Sequence, residues 1–248
     1  MPGELLLLAA GAAVAGFVQG LSGFAFGMVA MSIWVWGVEP GLAAVMAVTG
    51  GLAGQLVQAV TVRRGLRLAT LAPFLAGALL GVPLGVALLP QLDAARFKLA
   101  LGCMLVLCCP AMLWAHRLPR FTAGGRVGDG VVGAVGGLMG GICGFSGVVP
   151  TLWCTLRGFD KDLQRTVIQN FNLAALAATM AVYVASGAFT RDMLPLAALV
   201  VPALIVPSLL GARVYVGLSE VAFRRIVLTL LTAAGVAMIT AALQARAG

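Results

Sequence analysis

The sequence predicts an all-α polytopic membrane protein made of two inverted repeats, each a broken or re-entrant helical hairpin followed by three transmembrane helices. Three observations carry this. Apolar stretches of about 20 residues, each enough to cross a hydrocarbon layer about 30 Å thick, recur along the whole chain. Glycine clusters occupy matching places in the two halves, and Lys and Arg are distributed so as to favour one topology. Of the 248 residues, 61% are hydrophobic and 10% charged, against roughly 25% charged in soluble domains. That much apolar surface requires lipid as the solvent.

In chain order, the apolar segments are 4–37, 41–62, 68–90, 97–115, 130–156, 166–188, 192–215 and 225–244. The first repeat is read as residues 1–115, the second as 129–248. Between them, 116–128 is a basic linker carrying His116, Arg117, Arg120 and Arg126 with Pro119, Gly124 and Gly125. Residues 16–24 (Gly-Phe-Val-Gln-Gly-Leu-Ser-Gly-Phe) align with 137–145 (Gly-Leu-Met-Gly-Gly-Ile-Cys-Gly-Phe) at an offset of 121, matching three glycines and a phenylalanine. Leu92, Phe97 and Lys98 fall on Leu218, Phe223 and Arg224 at an offset of 126. The start, Met-Pro-Gly-Glu running into Leu5–Leu8, lacks the basic n-region and cleavage site of a signal peptide, so none is expected.

Charge decides how the long segments are threaded. If all eight cross once, the 16 basic residues divide eight against eight. If 4–37 and 130–156 instead enter and return on one side, twelve fall together and only Arg96, Lys98, Arg191 and Arg246 lie opposite. The positive-inside rule prefers the second arrangement and puts the 116–128 linker in the cytoplasm of a bacterial-type inner membrane. A Gly/Ser-rich centre is where such a segment would break, and an odd number of crossings per half inverts the halves. Inverted repeats with broken helices are a transporter plan.

The net charge of +8 sits in short clusters between apolar segments, which excludes a nucleic-acid patch and leaves the lipid bilayer as the partner of those charges. Cys103, Cys108, Cys109, Cys143 and Cys154 show no CxxC pair or zinc spacing, so neither a metal nor a cofactor is expected. All eight acidic residues lie at segment ends or in loops, leaving no carboxylate for a mid-membrane ion relay.

What the apolar segments do hold is uncharged: Gln19, Ser22, Thr49, Gln55, Gln58, Ser146, Thr151, Gln169, Asn170 and Asn172. A broken helix adds unpaired N–H groups and a positive dipole end, which suit an anion without a fixed charge. The candidate substrate-binding set is therefore Gln19, Ser22, Gly23, Thr49, Cys143, Gly144, Ser146, Gln169, Asn170 and Asn172, between the two glycine clusters. Arg157, Arg165 and Arg213 are candidates for drawing anions to the mouth. The competing reading is packing: small residues spaced like Gly16/Gly20 and Gly137/Gly141 let membrane helices approach closely, and buried amides act as interhelical glue.

Two GxSG motifs, at Ser22 and Ser146, match the nucleophile motif of rhomboid intramembrane proteases. Such a serine needs a histidine base, and the only histidine is His116 in the linker. An enzyme is not expected.

The run 140–152, Gly-Gly-Ile-Cys-Gly-Phe-Ser-Gly-Val-Val-Pro-Thr-Leu, resembles the signature of the TauE/SafE sulfite exporter family, also called the 4-toluene sulfonate uptake permease (TSUP) family. The duplicated layout and the pattern Gly211, Arg213, Leu218, Phe223, Arg224, Arg225 before the last apolar helix are similar to it as well. The resemblance implies a carrier, often an exporter, of sulfite, thiosulfate or an organosulfonate. A passive anion channel of the same fold is the alternative. Phe24-Ala-Phe-Gly27 departs from the glycine- and proline-rich form of the family's first cluster. The choice of anion, the direction, the coupling ion and the oligomeric state stay open.

Overall fold

The structure is a computed structural model that describes residues 2–23, 25–61, 65–115, 124–214 and 220–247. His116, Arg117 and Arg120 of the linker, Arg63, Arg64 and Phe24 lie outside the described residues. The described residues form ten α-helices and no strand: α1 (Pro2–Ser22), α2 (Phe26–Trp34), α3 (Pro40–Thr61), α4 (Leu68–Leu88), α5 (Ala94–Trp114), α6 (Gly125–Cys143), α7 (Val148–Leu156), α8 (Lys161–Ala185), α9 (Leu194–Val214) and α10 (Glu220–Ala247). Seven of them, α1, α3, α4, α5, α8, α9 and α10, are long and apolar enough to cross a membrane. The protein is a polytopic α-helical membrane protein.

Both long N-terminal segments of the halves break at their glycine clusters. Gly23 (φ +85°) ends α1 and Gly144 (φ +76°) ends α6, each in the left-handed conformation that glycine adopts without steric cost. The second arm then runs back along the first. In the first hairpin Trp34 Nε1 donates to Leu7 O at 3.2 Å, and Gly37 meets Leu7. In the second, the Trp153 ring covers Gly124 and Gly128, and Arg157 donates to Gly125 O at 3.2 Å. Helix α6 begins at Gly125, inside the 116–128 stretch read from sequence as linker. Its glycines, Arg126 and Asp129 lower its hydropathy and hide the helix start.

Close backbone approach through glycine organises the rest. Helix α1 packs parallel to α9: a methyl group at Gly16 would meet Leu204 O, one at Gly20 would meet Ser208 O, and one at Gly211 would meet Phe17 O. Helix α6 packs parallel to α4, where the same construction sets Gly137 on Ala78 O, Gly141 on Val82 O and Gly85 on Leu138 O. Shifting α1 by 121 and α9 by 126 turns the first set of contacts into the second, pair by pair. Helices α5 and α10 pack antiparallel through Gly102 and Gly235. In lipid, where water gives no hydrophobic drive between helices, such close van der Waals contact is a main source of association.

Helices α3 and α8 lie against each other and flank both breaks. Phe26, at the start of α2, sets its ring edge on Gly50 of α3 and packs edge-on to Trp34, with ring centroids 6.1 Å apart. The two ends of the bundle differ in charge. Gly65 and Arg67, the start of α6 with Arg126, and the first turns of α8 with Lys161 and Arg165 gather at one end, tied by Asn170 Nδ2 donating to Gly65 O at 2.9 Å. At the other, Lys98 Nζ sits 4.6 Å from the centre of the Trp36 ring.

Two glycines three residues apart on α6 separate packing from propensity. A methyl group at Gly130 finds only Pro73 O at 3.6 Å, whereas one at Gly133 runs into the Phe74 backbone. Gly130→Ala is expected to hold or raise the melting temperature in detergent, because alanine favours helix over glycine by about 1 kcal/mol. Gly133→Ala is expected to lower it by several degrees, as overpacking costs about 1–3 kcal/mol. Thermal unfolding followed by circular dichroism checks the contrast.

Candidate functional site

The first break is enclosed by amides from three helices. Gln58 of α3 donates through Nε2 to Gln19 O at 3.2 Å, and Gln55 Nε2 donates to Gly23 O at 2.8 Å. Helix α1 ends here: Gln19 O accepts its last backbone bond, from Gly23 N at 2.7 Å, with Gln58 as a second donor, while Gly23 O lies past the helix end and is answered by Gln55. Gln19 turns its own Nε2 to Gly51 O at 3.4 Å, occupying the space that a side chain at Gly54 would fill. Gln169 reaches in from α8, its Nε2 3.7 Å from where a side chain at Gly23 would begin. Gln19, Gln58 and Gln169 are all buried. Ser22 Oγ accepts from Ala25 N at 3.3 Å across the break.

The second break is lined differently. Ser146 Oγ donates to Asn172 Oδ1 at 3.0 Å, with both side chains buried, and the missing side chain of Gly147 leaves the room that the Asn172 amide takes. Thr179 lies beside Gly140, and Tyr183 donates its hydroxyl to Gly141 O at 2.7 Å, relieving an end carbonyl of α6 much as Gln55 relieves Gly23 O after α1. The breaks approach each other, because a methyl group at Gly27 would stand 2.7 Å from Gly144 O. On α8, Gln169 and Asn172 are three residues apart and share a face, so one helix serves both breaks. Neither α2 nor α7 has a side-chain cap, so each presents its first N–H groups and positive dipole end at its break.

The predicted residues are thus sorted. Gln19, Ser22, Gly23 and Gln169 meet at the first break; Gly144, Ser146 and Asn172 meet at the second. Thr49 bonds back to Val45 O within α3 at 2.8 Å. Cys143 is fully buried and directs Sγ to Met139 O at 3.2 Å, within its own helix. Asn170 is not brought to the breaks: its Nδ2 donates to Gly65 O and Thr166 O, both at 2.9 Å, fastening α8 to the segment before α4. Nor is Arg157 an unengaged cation at the mouth. It pairs with buried Asp129 at 3.2 Å and lies over the rings of Trp153 and Phe159, while Trp153 Nε1 donates to the same Asp129 oxygen at 2.7 Å. Arg165 and Arg213 are exposed. Ser146 has an amide for a partner where a protease serine would need an imidazole.

Sequence reasoning passed over Gln55 and Gln58 as site residues and Asp129 as a latch. The glutamines carried a signal, since polar residues three apart in an apolar span share a helix face. Asp129 carried a weaker one, as an acid in the first turns of a glycine-rich segment.

The family whose description reads sulfite exporter TauE/SafE matches residues 8–238. The chain belongs to the TauE/SafE sulfite exporter family. The match runs from α1 into α10 and takes in both hairpins and every long helix between them. TauE/SafE membership makes this a membrane transport protein for sulfur anions and gives the paired breaks a transport context. No curated protein and no solved structure shows significant similarity to the chain.

The latch of the second hairpin is testable apart from transport. Asp129→Ala strands Arg157 and the Trp153 indole together, whereas Asp129→Asn keeps an oxygen for the indole. Asp129→Ala is expected to show the larger fall in melting temperature, and equal falls would mean that the ion pair alone holds the arm.

Proposed function

We propose that the protein exports a small sulfur-containing anion, such as sulfite, thiosulfate or an organosulfonate, by alternating access, and that the anion binds between the two glycine breaks. The observation that carries this reading is the pair of uncapped helix N-termini, α2 and α7, facing a region enclosed by amides and hydroxyls with no fixed charge. N–H groups directed at an anion in a low-dielectric interior bind it without the desolvation cost of a buried lysine or arginine. Ser146 adds to this: by donating to Asn172 Oδ1 it turns Asn172 Nδ2 the other way, as a further donor.

In this reading the two hairpins enter from opposite faces, with the end bearing Arg67, Arg126, Arg157, Lys161 and Arg165 in the cytoplasm. The repeats, 1–115 and 129–248, are then inverted. The matched glycine contacts of α1 with α9 and α6 with α4 support that relation, since inverted repeats let two access states be built from one set of contacts with the halves exchanged. Arg165 and Arg213, exposed outside the latch, draw the anion toward the cytoplasmic mouth.

Uptake of radiolabelled sulfite, thiosulfate and sulfoacetate into proteoliposomes tests the function. One of them is expected to enter saturably and with counterflow; flux that neither saturates nor shows counterflow would assign a channel. Asn172→Ala is expected to reduce uptake at least about tenfold, while Asn170→Ala keeps it and lowers thermal stability. Undiminished uptake by Asn172→Ala would remove the site from between the breaks, and no uptake of any of the three by folded wild-type protein would sink the sulfur-anion reading.

A further inference from the structure

The first break holds two acceptors that the protein leaves unanswered. Gln19 is 1% and Gln58 8% exposed, and the Oε1 of each is buried without a hydrogen-bond partner among the described residues. The orientation of both amides is fixed by their other ends, because Gln19 Nε2 donates to Gly51 O and Gln58 Nε2 to Gln19 O. Turning either amide over would set oxygen against oxygen, so both are committed to presenting acceptors. Gln58 Oε1 lies 3.8 Å, and Gln169 Nε2 3.7 Å, from where a side chain at Gly23 would begin. Gly23 has no side chain to fill that space, so both face the bend of the break.

An acceptor pair is the wrong wall for a bare oxyanion, whose oxygens are themselves acceptors. It is the right wall for a ligand that brings a hydrogen of its own. We propose that the anion held at this site carries an O–H group, which donates to Gln19 Oε1 or Gln58 Oε1, while its charged oxygens take the N–H groups of the uncapped helix starts and the Asn172 amide. The substrate class is then a sulfur oxyanion that is monoprotonated, such as hydrogen sulfite, or hydroxyl-bearing, such as a hydroxyalkanesulfonate. This rests on the transport reading above and sharpens it. A buried acceptor left unpaired by the wrong ligand is how a site rejects an analogue lacking one hydroxyl.

Hydroxyethanesulfonate and ethanesulfonate test it, because they differ by one hydroxyl and carry the same charge at neutral pH. Each is added as an inhibitor of labelled sulfite uptake by wild-type proteoliposomes, and uptake of thiosulfate or sulfoacetate in preference to sulfite overturns the inference, since neither carries an O–H at neutral pH. Hydroxyethanesulfonate is expected to inhibit at roughly tenfold or more lower concentration. In Gln19→Met/Gln58→Met, which keeps side-chain length and removes both oxygens, the two are expected to inhibit alike. The wild-type comparison needs no variant, so the test holds even if that double variant fails to fold. Equal inhibition of wild-type uptake overturns the inference and leaves sulfur-anion transport standing. A hydroxyl preference that survives in a folded double variant, or sodium-dependent uptake with no preference, overturns it too, the latter assigning the oxygens to a co-bound cation. If wild-type protein takes up none of the three anions, the transport reading falls and this inference with it.

Discussion

A helix that stops inside hydrocarbon leaves carbonyls at its end and N–H groups at the start of the next, with no water to receive them. The arrangement around the two breaks follows from this constraint. The carbonyl side is answered by the neighbours: Gln55 bonds to Gly23 O and Tyr183 to Gly141 O, and Gln58 adds a second donor to Gln19 O. The N–H side is not capped by any side chain in α2 or α7. The protein spends its side-chain donors on its own carbonyls and keeps its backbone donors for something else. In the reading proposed above, that asymmetry suits the region to negative charge, and it leaves the glutamine oxygens over.

Glycine makes this economy possible in two ways. At Gly23 and Gly144 it supplies the left-handed turn that reverses the chain within a few residues. Along α1/α9 and α6/α4 it lets backbones touch, and this holds the broken segments between continuous helices. Close packing and chain reversal are shared out within one cluster: Gly20 supports a helix contact one turn before the break, and Gly23 forms the break.

Hydropathy, the glycine register and the charge count made the helices and both breaks legible in the sequence. The start of α6 was not, because a helix that turns a glycine face to α4 and carries Arg126 and Asp129 does not look like a span. Within the candidate site, legibility stopped at helix phase. Asn170 and Asn172 stand two residues apart, which on a helix points them about 200° from each other. Gln169 and Asn172 share the inward face, and Asn170 fastens α8 to Gly65. Arg157 failed for another reason: its partner Asp129 lies 28 residues away and meets it only once the hairpin closes.

That closure also distinguishes the halves. The first hairpin is held by an indole on a backbone carbonyl, Trp34 to Leu7, and the second by an indole on a carboxylate that an arginine neutralises. Both use a tryptophan from the short arm to grip the long one, but the second grip is ionic and lies at the end of the bundle where the basic residues collect. The Arg157 and Asp129 side chains are only 21% and 7% exposed, so salt screens this pair far less than it would a surface pair. If the halves exchange roles during transport, they do so with unequal fastenings. Releasing the second arm would leave a buried carboxylate without its arginine and its indole, whereas releasing the first would free a single carbonyl, so the second arm is the more costly to open.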